Sequence, residues 1–236
     1  MHSRTPLHIK ARREDIAERV VISGDPDRVK QLSSFLEGPS MVNTSRGYVI
    51  YTGDYSGKRV TVACHGIGAP STAIVVEELL MLGAKYIIRL GTAGGLLNEM
   101  KYGDILIASA SFSKAGGTIG GYGGDVPPPT APSPEMFKAL VDASADSRSR
   151  VYVGPVYSGD TFYGEIDLQE LASMGYLGAE MESSTLFAIS AIRKVKSAAL
   201  FMVSNNLVRG TKLLDARRLG EYLDNASRIA FRALTS

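Results

Sequence analysis

The segment "YIIRLGTAGG", residues 86–95, begins as an apolar strand and ends in a glycine-rich turn. Its single charged residue is Arg89, which lies between Ile88 and Leu90 and is followed closely by Gly91. Burying an arginine is costly unless an anion pairs with its guanidinium. The segment therefore predicts a buried strand that presents an anion-binding residue near its carboxyl end.

Strand and helix patterns alternate on both sides of this segment. The predicted strands cover 19–24, 47–66 (a hairpin with its turn near Ser56 and Gly57), 85–91, 104–110, 151–158 and 197–205. The predicted helices cover 25–36, 71–83, 133–146, 179–194 and 215–234. This alternation is typical of a parallel or mixed sheet that is covered by helices on both faces.

Composition excludes several classes of protein. The chain has 236 residues, of which 44% are hydrophobic and 21% charged, and its net charge is only +2. Such a balance does not favour a nucleic-acid or membrane surface. Cys64 is the only cysteine, the start has no signal-peptide pattern, and no apolar run reaches the roughly 18 residues of a membrane span. We expect a soluble cytoplasmic protein.

In sheets of this kind, ligands bind beyond the carboxyl ends of the strands. The candidate segments are 24–28, 89–95, 158–163 and 204–206. Residues 114–134, rich in glycine and proline, break the alternation. They are compatible with an interdomain linker, but we favour a long functional loop because the same alternation continues on both sides. The histidines His2, His8 and His65 show no metal-ligand spacing, so no metal site is expected.

Two arginines lie beside glycines in these segments. Arg28 is in the first turn of a predicted helix that follows Gly24, and Arg89 precedes "GTAGG". Free backbone N–H groups at such positions bind oxyanions, and an arginine adds paired donors that match phosphate oxygens. For Arg28 alone a surface salt bridge is the simpler interpretation, whereas the apolar surroundings of Arg89 argue against it.

Two further motifs are ambiguous when each is taken alone. Glu180 and Glu182 in "GAEMESS" are suited to binding vicinal sugar hydroxyls, but also to glycoside hydrolysis, a metal site or simple charge at a helix N-terminus. Phe162 and Tyr163 in "SGDTFYG" are suited to stacking on a planar base or to core packing.

Together these motifs resemble the hexameric nucleoside phosphorylases, a family that includes purine nucleoside, uridine and methylthioadenosine phosphorylases. Their order and spacing are specific, and they run nearly end to end. They are "TPLHIKA" (5–11), "GDPDRV" (24–29), "NTSRG" (43–47), "HGIGAPSTAIVVEEL" (65–79), "IIRLGTAGG" (87–95), "SGDTFYG" (158–164), "GAEMES" (178–183) and "VSNN" (203–206).

The resemblance implies a single-domain three-layer αβα sandwich with a mixed central sheet over residues 1–236. It implies that nucleoside and inorganic phosphate are the ligands, that no other cofactor is needed, and that the protein is a homohexamer built as a trimer of dimers. The implied phosphate ligands are Gly24, Arg28, Arg46 from a neighbouring subunit, Arg89 and Thr92. The implied ribose ligands are His8 from a neighbour, Met181 and Glu182. The implied base ligands are Phe162, Ala179, Ser204 and Asn205.

One position departs from the family. Its purine-cleaving members commonly carry an aspartic acid where this chain has Asn205, and an asparagine cannot donate a proton to the base. Arg218 matches an arginine that assists that acid, although Arg217 is adjacent. We expect phosphorolysis of 6-oxopurine nucleosides. The alternatives are a uridine or methylthioadenosine phosphorylase, a nucleosidase, and a nucleoside- or phosphate-binding protein. Uridine is disfavoured because Gln169 has no arginine near it in sequence.

Overall fold

The structure is a computed structural model that describes residues 5–114, 117–164 and 166–236. Within these ranges nine strands form one sheet, and seven α-helices pack around it. The strands are β1 (Arg19–Ser23), β2 (Glu37–Asn43), β3 (Ile50–Tyr55), β4 (Lys58–Cys64), β5 (Tyr86–Gly95), β6 (Ile105–Phe112), β7 (Val151–Ser158), β8 (Gly178–Glu180) and β9 (Lys196–Asn206). The helices are α1 (Pro26–Ser33), α2 (Ala69–Met81), α3 (Gly117–Gly123), α4 (Pro134–Ala143), α5 (Leu168–Ser173), α6 (Ser183–Arg193) and α7 (Ala216–Thr235).

The sheet is mixed, and half of it closes into a ring. Its strand order is β2-β3-β4-β1-β5-β8-β7-β6-β9, and β5 pairs with β9 as well. Strands β4, β1, β5 and β9 run parallel, while β6, β7 and β8 run the other way. The predicted α/β fold with a mixed central sheet is therefore confirmed.

Alternating side chains of the strands build two apolar cores, one on each face. Val20 and Ile22 of β1 pack in the core that contains residues of α2 and α6, whereas Val21 packs in the core beneath α1, α4 and α7. The sheet is thus the middle of three layers. Among the described helices, none combines the length and apolarity needed to cross a membrane.

The predicted element boundaries agree with most of the observed ones. The hairpin turn lies at Ser56 and Gly57, both with positive φ, as expected. The prediction of an unbroken loop over 114–134 was wrong in one part, because α3 lies within it and packs against α2 and α6. Residues 115 and 116 of that loop lie outside the described ranges. Strands β2 and β8 and helix α5 had not been predicted.

Strand β5 is long enough to pass its neighbour, and this difference in length creates the site. Arg89 pairs with Ile22, one residue before the end of β1, so the last residues of β5 extend beyond β1. This extension pairs instead with β8 and with the end of β9. The ends of strands that run in opposite directions therefore meet along β5.

Candidate active site

The anion that pairs with Arg89 in this chain is a pair of carboxylates. Arg89 is buried, with 4% of its surface exposed. Its Nη2 atom donates a hydrogen bond to Glu182 and lies 3.2 Å from Oε2 of Glu180. The carbon of its guanidinium lies 5.4 Å from the centre of the Phe201 ring, a cation–π distance. Two carboxyl groups thus share one guanidinium in this cluster.

The glycine at position 91 makes room for this arginine. A Cβ atom at Gly91 would lie 2.1 Å from Nη1 of Arg89, far inside van der Waals contact. The guanidinium therefore lies over bare backbone. Any side chain at position 91 would displace Arg89 from its two carboxylates.

Glu182 is held by two elements besides its own. It occupies the position just before α6, where its φ of −142° turns the chain from β8 into the helix. Its Oε1 atom accepts a hydrogen bond of 2.7 Å from the backbone N–H of Gly68, at the start of α2. The carboxylate therefore lies between α2 and β5, with further lone pairs left to accept hydroxyl groups.

Glu180, by contrast, has its hydrogen-bonding capacity used inside the protein. It accepts from the backbone N–H groups of Glu182 and Ser183 at 2.9 and 3.0 Å, and from the hydroxyls of Ser183 and Ser158. Ser111 joins the same network at 3.0 Å from Ser158. Glu180 is therefore a structural residue that fixes the turn on which Glu182 lies.

Gly24 and Arg28 lie beside Arg89 at the end of β1. A Cβ atom at Gly24 would lie 2.8 Å from the carbonyl oxygen of Gly66, so this position requires glycine. Asp25 caps α1, and Arg28 in its first turn donates from Nη1 to Ser23 Oγ at 3.2 Å. Burial lowers the pKa of Arg28; Asp25 raises it in part, and the positive charge of Arg89 lowers it further. The positive charges of Arg28 and Arg89 thus lie in the same part of the site.

The predicted base-binding residues meet at the extension of β5. Gly94 pairs with Ala179 on one side and with Asn205 on the other. Ser204 Oγ lies 3.2 Å from Oδ1 of Asn205 and also 3.2 Å from the carbonyl oxygen of Ala93, so these two acceptors share its single proton. Met181, the next residue after Glu180, is half-buried between the two carboxylate positions.

The two aromatic residues of this region do not pack in the core. Phe162 is 63% exposed and Tyr163 is 96% exposed, and their rings meet edge to face with centres 5.1 Å apart. The core-packing interpretation of this pair is therefore wrong. Both rings are free to cover a ligand at the strand ends.

Three predicted ligands form no hydrogen bond or ion pair with the described residues of this cluster. His8 is fixed by Glu78, whose Oε1 lies 2.6 Å from Nδ1 of the histidine. Burial alone would raise the pKa of Glu78, but the hydrogen bonds from His8 and from nearby backbone N–H groups lower it overall. Glu78 lies about 14 Å along α2 from Ala69, at 1.5 Å per residue. Arg46 is exposed in a turn with φ of 56°, and Thr92 is half-buried on β5.

A cleft of about 650 Å³ lies between α1 and α7, next to this site. Arg28 belongs to its wall, and so does Arg217. The side chain of Arg218 is exposed, and its backbone N–H donates to Asp215, the N-cap of α7. Of the two neighbouring arginines, Arg217 is thus the one that shares a cleft with the phosphate-side residue Arg28.

The segment after β4 was included in the family resemblance, but sequence reasoning assigned it no role in the site. Gly68 donates to Glu182, and His65 is fully buried on the same side of the sheet. The signal was present in "HGIGAP", a glycine-rich turn that leads into a helix at a strand end. This segment contains no Asp, Glu, Lys or Arg, so it offered no charged candidate for a site residue.

Comparison with known proteins identifies the family. The model of the phosphorylase superfamily matches residues 18–235. A guanosine phosphorylase of Halorubrum lacusprofundi is 32% identical over 97% of this chain and 98% of its own length. A purine nucleoside phosphorylase of the DeoD type from Exiguobacterium sp. is 35% identical over 95% of this chain and 95% of its own length. Another, from Clostridium beijerinckii, is 37% identical over 86% of this chain and 87% of its own length.

A solved structure has the same fold. It is a uridine phosphorylase of Vibrio fischeri in complex with 6-hydroxy-1-naphthoic acid, with a TM-score of 0.85 and 27% identity over 98% of this chain and 95% of that one. The chain belongs to the phosphorylase superfamily. The resemblance to nucleoside phosphorylases and the predicted class of enzyme, a pentosyltransferase, are thereby confirmed.

Proposed function

We propose that this protein is a purine nucleoside phosphorylase that transfers the ribosyl group of a 6-oxopurine nucleoside to inorganic phosphate. The observation that carries the proposal is the direct pairing of Arg89 with Glu182. A cation suited to an oxyanion and a carboxylate suited to sugar hydroxyls lie in contact, as the two reactants of phosphorolysis must. Arg28 adds a second positive charge on the side of Arg89.

In this proposal phosphate is the nucleophile and no other cofactor takes part. Phosphate forms a bond to C1′ of the ribose while the glycosidic bond breaks and its electron pair leaves with the base. Positive charge develops on the sugar, where Glu182 and the phosphate both stabilise it. Catalysis then consists mainly of holding both reactants in position.

The choice of base rests on Asn205. An amide NH₂ donates to the oxo oxygen and nitrogen 7 of a 6-oxopurine, and these bonds strengthen as negative charge grows on the leaving base. An adenine needs a proton that an asparagine cannot supply. When Ser204 donates to Oδ1, the NH₂ of Asn205 is free to donate to the base. A relative that is 32% identical carries the name guanosine phosphorylase, which agrees with this preference.

We further infer a homohexamer, arranged as a trimer of dimers, in which subunits share sites. His8 and Arg46 do not join the cluster around Arg89 within one chain. A neighbouring subunit that presented its own His8 and Arg46 would complete the ribose and phosphate sides. The cytoplasmic location expected from the sequence remains a prediction.

A substrate panel with and without phosphate tests the proposed reaction. Inosine and guanosine should release free base only when phosphate is present, with ribose 1-phosphate formed in equal amount. Adenosine, methylthioadenosine and uridine should react more slowly. Equal release of base in phosphate-free buffer would identify a nucleosidase. Faster cleavage of uridine would favour a uridine phosphorylase, which is the name of the structural neighbour.

Replacing Asn205 by aspartate tests the choice of base. The Asn205→Asp variant should gain activity on adenosine relative to inosine, because a protonated carboxyl can donate to nitrogen 7. The change in the ratio of kcat/KM values should be about 10²–10³-fold, since one well-placed donor is worth about 2.7–4 kcal/mol in comparable oxyanion sites. Asn98→Asp, at an exposed position, is the matched control. An unchanged ratio would contradict the role given to the amide.

Mixing two inactive variants tests whether sites are shared between subunits. Arg46→Ala and Glu182→Gln should each be nearly inactive alone. If a site takes Arg46 from one subunit and Glu182 from another, dissociation and random reassembly of a 1:1 mixture should restore about one quarter of wild-type activity in an assembly of closed symmetry. No recovery in reassembled oligomers, or full activity in a monomer, would rule out sharing.

A further inference from the structure

Two buried nitrogen atoms on the phosphate side have no hydrogen-bond partner within the described residues. They are Nε of Arg89 and Nε2 of His65. The other ring nitrogen of His65, Nδ1, lies 3.0 Å from Oγ1 of Thr72 on α2. Buried polar atoms are nearly always satisfied, so two unsatisfied atoms in one region require an explanation.

The register of the sheet places these two side chains on the same face. Ala63 of β4, Ile22 of β1 and Arg89 of β5 lie side by side. His65 is two residues beyond Ala63 and therefore points to the same face as Arg89. Continued by two residues, the same register places His65 level with Gly24 and with Gly91, over which the guanidinium of Arg89 lies. Two strand spacings, about 9.6 Å, separate the backbones at His65 and Gly91, and an arginine and an imidazole can span this distance together.

A glycine lies beside His65 on the neighbouring strand. It is Gly24, two residues beyond Ile22. A Cβ atom at Gly24 would lie 3.4 Å from Cε1 of His65, the ring carbon between Nδ1 and Nε2. The imidazole ring thus lies against Gly24, on the side of Arg89.

The charges around His65 select one tautomer. Burial, and then the positive charge of Arg89, lower the pKa of His65, so its ring is neutral. A neutral imidazole has one N–H and one lone pair. The guanidinium groups of Arg89 and Arg28 favour the lone pair on the nitrogen that faces them, which leaves the N–H on Nδ1 to donate to Thr72.

We propose that His65 is a positioning residue for Arg89: when phosphate is bound, Nε2 of His65 accepts a hydrogen bond from Nε–H of Arg89. This bond satisfies both unpartnered atoms at once. It fixes the plane of the guanidinium, so that its terminal nitrogens are aimed at the anion rather than held only by Glu182. The proposal rests on the proposed function in one respect, that the anion at Arg89 is phosphate.

Two substitutions of His65 separate its two nitrogens. An asparagine places a polar atom near the position of Nδ1 and none at Nε2, whereas a glutamine places one near Nε2. In calorimetric titrations with inorganic phosphate, His65→Asn should bind about tenfold more weakly and His65→Gln less than threefold, as expected for one hydrogen bond to a charged group. The nucleoside dissociation constant should change in neither variant.

Nuclear magnetic resonance of ¹⁵N-histidine-labelled wild-type protein tests the tautomer directly, and it does not depend on the variants folding. The sequence has only three histidines, so the signals are readily assigned. With phosphate bound, Nε2 of His65 should give the downfield signal of a bare imidazole nitrogen, and Thr72→Val should produce a mixture of tautomers. A protonated Nε2, or equal loss of phosphate affinity in His65→Asn and His65→Gln, would overturn the role of His65. Failure of the wild-type protein to bind phosphate would instead overturn the proposed function.

Discussion

Replacing Arg89 by methionine is expected to lower kcat/KM for phosphate by about 10³-fold, while the affinity for nucleoside changes little. Removal of a single oxyanion donor costs about 10²–10³ in comparable sites, and Arg89 supplies a planar pair of donors together with a full charge. Arg89→Lys should recover only part of the loss, because a lysine keeps the charge but not the paired geometry. Initial rates over a range of phosphate concentrations measure both effects.

The structure also predicts a loss of stability in this variant that must be separated from the loss of function. Arg89 is the buried partner of both Glu180 and Glu182, and breaking a buried ion pair from one side costs about 3–5 kcal/mol. The double variant Arg89→Met, Glu182→Gln removes one of the two unpaired charges. It should regain stability in denaturant titrations without regaining the use of phosphate.

Arg193 offers a matched control for Arg89. It lies on α6 and pairs with Glu77 at the surface. Exposed pairs of this kind contribute at most about 1 kcal/mol, so Arg193→Met should retain phosphate use and stability. Unchanged phosphate kinetics in Arg89→Met would show that the anion site lies elsewhere.

The elements that could be predicted from sequence are those with an apolar run that is bounded by turn signals. Strand β7 is observed at its predicted bounds, because its apolar run is limited by clear turn signals. Strand β2 was missed because six of its seven residues are at least partly exposed and it contains Gly38 and Pro39. Helix α3 has four glycines in seven residues, a composition that disfavours helix, and it is stabilised instead by packing against α2 and α6.

In the site, single residues could be predicted but their pairing could not. Arg89 was recognisable because it is the one charge in an apolar strand. Glu180 and Glu182 cannot be told apart in the sequence. In the structure, the turn after β8 places Glu180 in hydrogen-bonding contact with the serines and Glu182 beside Gly68. The meeting of the strand ends was predicted only in part. The carboxyl ends of the parallel strands β1, β5 and β9 meet at a common edge as expected, and the antiparallel pairing of β8 with β5 adds the ends of β7 and β8.

Replacing Glu182 by glutamine is expected to have opposite effects on the two substrates. The kcat/KM value for inosine should fall by about 10²–10³-fold, because a neutral amide stabilises the developing positive charge on the sugar less and accepts hydroxyl hydrogen bonds more weakly. Phosphate affinity should stay the same or improve, since Glu182 competes with the anion for Arg89 in the ligand-free chain. Glu180 remains 3.2 Å from Arg89 in this variant, so the arginine is not left buried without a counter-charge and the protein should fold.

The sugar itself provides the decisive comparison for Glu182. If the carboxylate binds the ribose hydroxyls, the loss caused by Glu182→Gln should be about tenfold larger for inosine than for 2′,3′-dideoxyinosine, which lacks both hydroxyls. This ratio is a coupling between residue and substrate group, as in a double-mutant cycle, so general distortion of the site cancels from it. Glu77→Gln, on the surface of α2, is the matched control and should show no such difference. Equal losses on the two nucleosides would mean that Glu182 acts on the site through Arg89 alone, and the ribose would then have to be bound by other residues.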